Sequence, residues 1–326
     1  MNALIACHCG PSIGLGHLKR SILIANLLTE KLDMKVSLLI QGETFKLTNI
    51  EKLSVNIIKL TDDLFSKIKQ YNELTFVFLD LSHNFIPENI ISELLYFKNT
   101  SIRVISIDCL INHSSLLDKV FIPSFFIDPK IKIGDGSKFI YGWDCYLIDD
   151  SHNRLSWSPG NKVLILTGGS DTTNLGKNWP VRLNKILPKD CELTWVSGPF
   201  AKSPKIPKNA NFLFKEKIAP SNLRSLMTET NYAITIYGVS FFELLKLGVP
   251  SIVFSPYSNK YNRELSEISY LKIAQVAKDE NEASEMLVDL MNNNHLANDI
   301  STSSSNIIKE SGLKKLENEV RTLLRI

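Results

Sequence analysis

Between an apolar run and a helical pattern near the start of the chain lies Gly10-Pro11-Ser12-Ile13-Gly14-Leu15-Gly16-His17-Leu18-Lys19-Arg20, the stretch that most constrains the fold. Ala3 to Cys9 before it has strand length, and Leu18 to Leu32 after it carries apolar residues at helical spacing, so the three together read as a βα unit. Glycines let a backbone turn sharply and approach a ligand closely. The helix that follows points free N–H groups and a partial positive charge at an anion. His17 stands where that helix begins and adds a group able to exchange protons near neutral pH.

The scheme then repeats. Lys35 to Ile40, Thr75 to Asp80 and Arg103 to Asp108 read as strands, with Ile90 to Phe97 as a helix. Strands rich in Val, Ile and Leu without polar alternation mark a parallel sheet covered on both faces, hence an α/β class. Asp80 and Asp108 each end such a strand, at the edge where open α/β sheets keep their ligand sites.

From Asp128 to Pro159 the regularity fades into turn residues, and here the connection between two domains is expected, 1–150 and 151–326. Lys162 to Thr167 restarts the pattern as a strand. Gly168-Gly169-Ser170-Asp171-Thr172-Thr173-Asn174 follows as a second glycine loop. Leu193 to Ser197, Asn211 to Phe214, Tyr232 to Ile236 and Ser251 to Phe254 read as strands, and Ser221 to Thr228 as a helix capped by Ser221. Gly238-Val239-Ser240 opens a third anion-ready helix, which Gly248 and Pro250 stop. Pro256 to Asn262 reads as a polar loop, Ser301 to Ser305 as a polar link, and Asn281 to Met291 and Gly312 to Leu324 as amphipathic helices.

Composition narrows the function. With 326 residues, 44% hydrophobic and 22% charged, the chain is of the globular kind, and its net charge of +3 comes without a basic stripe interleaved with aromatics, so nucleic acid is not the expected partner. No apolar run approaches the ~18 residues of a membrane span, and the start of the chain does not read as a signal peptide. Cys7, Cys9, Cys109, Cys145 and Cys191 are odd in number and scattered, which fits a reducing cytoplasm better than a disulfide framework.

The third glycine of a dinucleotide fingerprint is replaced by Lys19, and no Gly-Lys-Ser/Thr ending is present, so neither a nicotinamide cofactor nor triphosphate hydrolysis is supported. The plain alternative is that the glycines only close a turn and His17 caps the helix. Cys7-His8-Cys9 is expected to pack in the core, because residues 7 and 9 of a strand share a face that residue 8 does not. Asp80, His83, Asp108 and His113 form no metal-ligand spacing, and no metal or cofactor is expected. Glu243, one turn into its helix, is placed to reach a ribose hydroxyl or else is a dipole-stabilised surface carboxylate. Asn259 and Lys260 offer an amide and a cation beside the same strand edge.

Taken together, Gly14-x-Gly16-His17, Tyr141-Gly142, Gly168-Gly169-Ser170-Asp171 and Gly238-x-Ser240-x-x-Glu243-x-x-x-Leu247-Gly248-Val249-Pro250 followed by Asn259 resemble the UDP-2,4-diacetamido-2,4,6-trideoxy-β-L-altropyranose hydrolases of pseudaminic acid synthesis, across nearly the whole chain. That family is similar in turn to the MurG-type GT-B glycosyltransferases. The resemblance implies two Rossmann-like domains whose parallel sheets face each other across a cleft. It also implies a UDP-sugar substrate, a cytoplasmic monomer, and a product used for bacterial surface glycans such as those of flagellin. It places the diphosphate at Gly238, Val239 and Ser240, the ribose at Glu243, and further substrate contacts at Gly14, Gly16, Asp80, Gly169, Ser170, Asn259 and Lys260. His17 is then the general base that draws a proton from the attacking water, without a metal.

The chain departs from that family in three places. Asp80-Leu81-Ser82-His83 stands where the family has Asp-x-Tyr, Asn259-Lys260 replaces Asn-Gln, and Tyr237 fills a position usually small. A different sugar, or an acceptor hydroxyl in place of water, accounts for all three. A glycosyltransferase of the same fold and a non-catalytic nucleotide-sugar binder are therefore the alternative readings.

Overall fold

A computed structural model describes residues 1–44, 53–127, 135–149, 156–257 and 261–324. The chain divides into two compact units, one of Met1–Asp149 with Glu310–Ile326 and one of Asp150–Lys309.

The first unit runs β1 (Asn2–Cys9), α1 (Gly16–Leu32), β2 (Lys35–Gly42), β3 (Ser54–Ile58), α2 (Leu64–Ile68), β4 (Leu74–Asp80), α3 (Ile90–Lys98), β5 (Arg103–Ile107), β6 (Lys119–Phe121) and β7 (Phe139–Ile140). Its strands form one parallel sheet in the order β3-β2-β1-β4-β5-β6-β7. β1 is buried from Ala3 to Cys9 because strands lie on both its sides and helices cover the sheet. Between β1 and β4 the strand order reverses. Connections on the two sides of such a point lead away in opposite directions and leave a crevice at the carboxyl ends of the strands.

The second unit repeats the plan with β8 (Lys162–Leu166), α4 (Trp179–Ile186), β9 (Glu192–Ser197), β10 (Leu213–Ile218), α5 (Leu223–Thr228) and β11 (Tyr232–Ile236). It continues through α6 (Val239–Lys246), β12 (Ser251–Phe254), α7 (Asn262–Tyr270), β13 (Gln275–Val276), α8 (Glu280–Asn292) and α9 (Asn294–Ile307). The parallel order is β10-β9-β8-β11-β12-β13, so its reversal falls between β8 and β11. On one face Trp179 meets Trp195 and Phe254 edge-on at 5.5 and 5.7 Å, and its indole N–H donates to Ser284 Oγ at 2.7 Å.

The helix α10 (Gly312–Leu324) belongs with the first unit, whereas the sequence assigned everything from 151 onward to the second. The reason is local. The Gly312 N–H donates to Tyr146 O at 2.8 Å, Ser311 Oγ donates to Ile148 O at 2.9 Å, and Arg321 donates to Lys31 O at the end of α1.

Three segments also differ from what their sequence pattern suggests. α5 is capped by Asn222, whose side chain accepts from Ser225 N, and not by Ser221. Ser301 to Ser305 is helix within α9, since Ser301 and Ser304 turn their hydroxyls back to the carbonyls of Gly248 and Ser301. The strand sought at Asn211 to Phe214 is β10, shifted to Leu213–Ile218, where exposed Lys and Glu residues on an edge strand blur the apolar signal.

Candidate active site

The loop after β1 closes on itself before the helix starts. Gly10 O accepts from Ile13 N at 3.1 Å and from Gly14 N at 2.7 Å, and Gly14 takes φ +88°, a conformation that a side chain would strain. Leu15 is then the N-cap of α1, without a side-chain cap, and Gly16 and His17 form the first turn. His17 does not cap the helix. Its ring turns instead towards the end of β4, across the strand-order reversal.

There it meets Asp80, which is fully buried. His17 Nδ1 lies 2.6 Å from Asp80 Oδ1, and Arg20, one turn further along α1, donates Nη2 to Oδ1 at 2.7 Å and Nε to Oδ2 at 3.0 Å. Arg20 Nη1 reaches Asp108 Oδ2 at 3.2 Å beyond the end of β5. Strands β1, β4 and β5, adjacent in the sheet, thus deliver one cluster of two carboxylates, a guanidinium and an imidazole.

The distances assign the imidazole proton. Arg20 Nη2 also stands 3.2 Å from His17 Nδ1, but a guanidinium only donates, and a bare nitrogen lone pair at 2.6 Å from a carboxylate would be repelled. Nδ1 therefore carries a proton and donates it to Asp80, and in the neutral ring Nε2 is the lone pair; the side chain is 19% exposed. Burial works to raise the pKa of Asp80, but the charge of Arg20, then His17 and the hydrogen bonds from both, outweigh it and hold the carboxyl below its ordinary range.

Three further titratable groups around the pair, His8, Cys7 and Cys109, are neutral. His8 is buried on β1, where Nδ1 accepts from Ser82 N at 3.0 Å and Nε2 donates to Gln41 Oε1 at 3.0 Å, while Gln41 binds the carbonyls of Lys59, Leu60 and Asp62. Burial, opposed by the Gln41 hydrogen bond, lowers its pKa to about 4. Burial also pushes the thiols of Cys7 and Cys109 well above their usual range. Both nitrogens of His8 are thus taken, and Cys7 and Cys9 are core residues, as the alternation of β1 suggested.

The structure changes the reading of Asp80. Enclosed, with each oxygen engaged by α1, it offers a sugar no open acceptor and instead holds His17 and Arg20 in place. His83 and His113 lie in short turns, and among the described residues no side-chain hydrogen bond or ion pair joins either to the cluster. Arg20 went unnoticed in the sequence, although a charged residue three positions after His17, on the helix face that Leu18, Ser21 and Ile24 bury, was a readable signal.

In the second unit the predicted residues that are described follow β8 and β11, the strands on either side of its reversal. Gly169 and Ser170 follow β8, and Gly238, extended at φ 166°, is the N-cap of α6, whose first turn holds Val239 and Ser240 with half-buried Glu243 one turn on. Gly198 at the end of β9 packs so closely on Gly169 that a Cβ would lie 2.2 Å from the Gly169 carbonyl oxygen, which fixes the loop. Asp171 is inward, accepting from Leu175 N and Gly176 N at 2.9 Å each, and Thr172 Oγ1 pairs with Tyr257 OH at 2.8 Å. Thr167 Oγ1 and Ser170 Oγ are buried and have no hydrogen-bond partner among the described residues. Asn259 and Lys260 lie outside the described residues.

No family model matches the chain. An uncharacterized protein of Methanocaldococcus jannaschii is 25% identical over 288 residues, which is 80% of this chain, and the matched stretch spans only 56% of that protein. Among solved structures the chain is similar to a putative UDP-N-acetylglucosamine 2-epimerase from Listeria monocytogenes (TM-score 0.65, 11% identity, 99% of this chain and 96% of the other). It is similar to MurG of Acinetobacter baumannii (TM-score 0.63, 12% identity, 99% and 100%) and to MnaA of S. aureus in a UDP co-structure (0.64, 10%, 99% and 97%). These likenesses are of fold: the chain has the GT-B fold, built from two Rossmann-like α/β units.

Proposed function

We propose that the chain is a nucleotide-sugar enzyme in which His17 is the general base. The observation that carries this reading is the 2.6 Å pairing of His17 Nδ1 with buried Asp80, which leaves Nε2 of a solvent-reached imidazole free to accept a proton. Support from the other unit is Thr167 and Ser170, whose buried hydroxyls have no hydrogen-bond partner among the described residues and which follow β8, the sheet neighbour of β11 that leads into α6, a set of donors suited to a diphosphate. Solved chains of the same fold are described as a MurG, a UDP-sugar epimerase and a UDP complex, and they favour UDP as the nucleotide.

The leading reaction is hydrolysis of a UDP-linked diacetamido-trideoxy sugar of the pseudaminic acid type. His17 Nε2 takes a proton from water as the water oxygen bonds to the anomeric carbon. The bond from that carbon to the phosphate oxygen breaks with inversion, and UDP leaves with the electron pair. Helix N-termini stabilise the charge on the leaving diphosphate. In this reading Gly238, Val239, Ser240 and Glu243 hold the nucleotide, Gly169, Ser170, Asn259 and Lys260 assist, and Gly14 and Gly16 shape the loop that presents His17.

A glycosyltransferase is the second reading, favoured by the likeness to MurG and by the replacement of the family's tyrosine at Ser82. There His17 would deprotonate an acceptor hydroxyl. The test is UDP release from candidate UDP-sugars with and without acceptors. Release without acceptor supports hydrolysis, release only with acceptor transfers the assignment to glycosyl transfer, and binding without release in either case leaves a nucleotide-sugar binder.

A further inference from the structure

Arg20 occupies a position on α1 where the helical pattern seats apolar side chains, and it is 7% exposed. A guanidinium is a planar fork, and here its Nε and Nη2 meet the two oxygens of Asp80, which fixes the plane of that carboxylate as well as its distance. Its remaining arm is anchored by Asp108. The Asp108 carboxylate is 43% exposed, and its backbone takes φ 59°, in the left-handed region that Asp tolerates. The guanidinium thus joins a buried and a half-exposed carboxylate.

We propose that Arg20 is a positioning residue for His17, holding the Asp80 carboxylate ionised and in the plane that accepts the Nδ1–H, with Asp108 as the anchor of Arg20. The proposal rests on the reading of His17 as the base. Among the described residues, the titratable groups that act on the pair are His8 and Cys7 of β1, Cys109 after β5 and Arg20, with Asp108 on the far arm of Arg20. His8 is neutral above about pH 4, and both thiols are held protonated, so Arg20 is the cation in the cluster that balances Asp80 around neutral pH. Without it, a buried carboxylate beside an imidazole keeps a proton on the pair to higher pH, and the base is occupied when it is needed.

The test is Arg20→Met in the full chain. The acidic limb of the pH profile of UDP release is expected to move up by about one pH unit, so that turnover falls by up to about tenfold along that limb and recovers on the alkaline side, with KM little changed. A uniform loss at every pH would assign Arg20 a merely structural role and overturn the proposal. A readout independent of activity is the titration of the two His17 ring nitrogens by NMR of histidine-labelled protein. The wild type should show the Nδ1–H tautomer, and Arg20→Met should hold the imidazolium to higher pH. This separates the two readings: a chain that releases no UDP but shows the shift loses the proposed function and keeps the Arg20 assignment. Arg20→Lys retains charge without the fork and is expected to shift in the same direction by less. It also serves if Arg20→Met does not fold, and an unshifted His17 titration in whichever variant folds overturns the proposal.

Discussion

His17 Nδ1 stands 2.6 Å from Asp80 Oδ1, although the two residues come from different βα units on either side of the point where the strand order of the first sheet reverses. The helix start supplies the imidazole and the neighbouring strand end supplies the group that fixes its tautomer. In a parallel sheet both are delivered to one edge by the same handed connections.

Asp80→Asn should damage the site and the fold together. The amide no longer compensates Arg20, and removing one partner of a buried pair costs about 3–5 kcal/mol. Because the imidazolium formed when His17 takes up the proton loses its buried counter-charge, turnover should fall by about 10² or more. Urea unfolding and UDP-release kinetics measured on the same preparation check both parts, and a variant as stable and as active as the parent would contradict the assignment.

Much of this was legible in the residues. β1, α1, β4, β5, β8, β11, α6 and β12 follow from apolar runs and glycine punctuation, and Gly248 ends α6 in the left-handed conformation that its place before Val-Pro suggested. What escaped was set by tertiary context. The short strands β6 and β7 have too few residues to carry a period, and α9 hides behind a serine run whose hydroxyls are satisfied by backbone carbonyls. His17 stands out in the sequence because a histidine after Gly-x-Gly is conspicuous. Arg20 does not, because only the buried carboxylate opposite gives it meaning. Asp80 stands out for its place at a strand end, but that both its oxygens are engaged by α1 is set by tertiary packing.

Acid should weaken the first unit in two stages. His8 is neutral in the folded chain down to about pH 4, whereas an unfolded histidine takes up its proton near pH 6.5, so the unfolded state binds more protons in between and stability falls as pH drops through that window, by about 3 kcal/mol in all. Asp80, with its pKa held low, contributes stability above the ordinary carboxylate value of about 4 that is lost as pH falls through its folded value. Denaturation at pH 7 and pH 4.5 measures the first stage. His8→Asn should lose clearly less stability between those values than the parent.

Glu243→Ala should weaken UDP binding by about tenfold or more, the loss of a hydrogen bond made by a charged group, while the saturated rate changes little. Calorimetric titration with UDP, set beside kcat, separates the two effects. A fall in kcat with unchanged UDP affinity would remove Glu243 from the nucleotide.

A base mechanism of this kind has no step that a chelator interrupts. Turnover in excess EDTA should match that in buffer, and a large loss restored by a divalent cation would require a different account of the leaving diphosphate.

The most direct test compares the parent chain with His17→Ala on a UDP-linked diacetamido-trideoxy sugar, following UDP release and UDP affinity side by side. The account predicts that the parent releases UDP and that the variant binds UDP equally well but turns over about 10² to 10⁴ more slowly. Equal turnover in the variant, or a parent that cleaves no UDP-sugar with or without an acceptor, would contradict it.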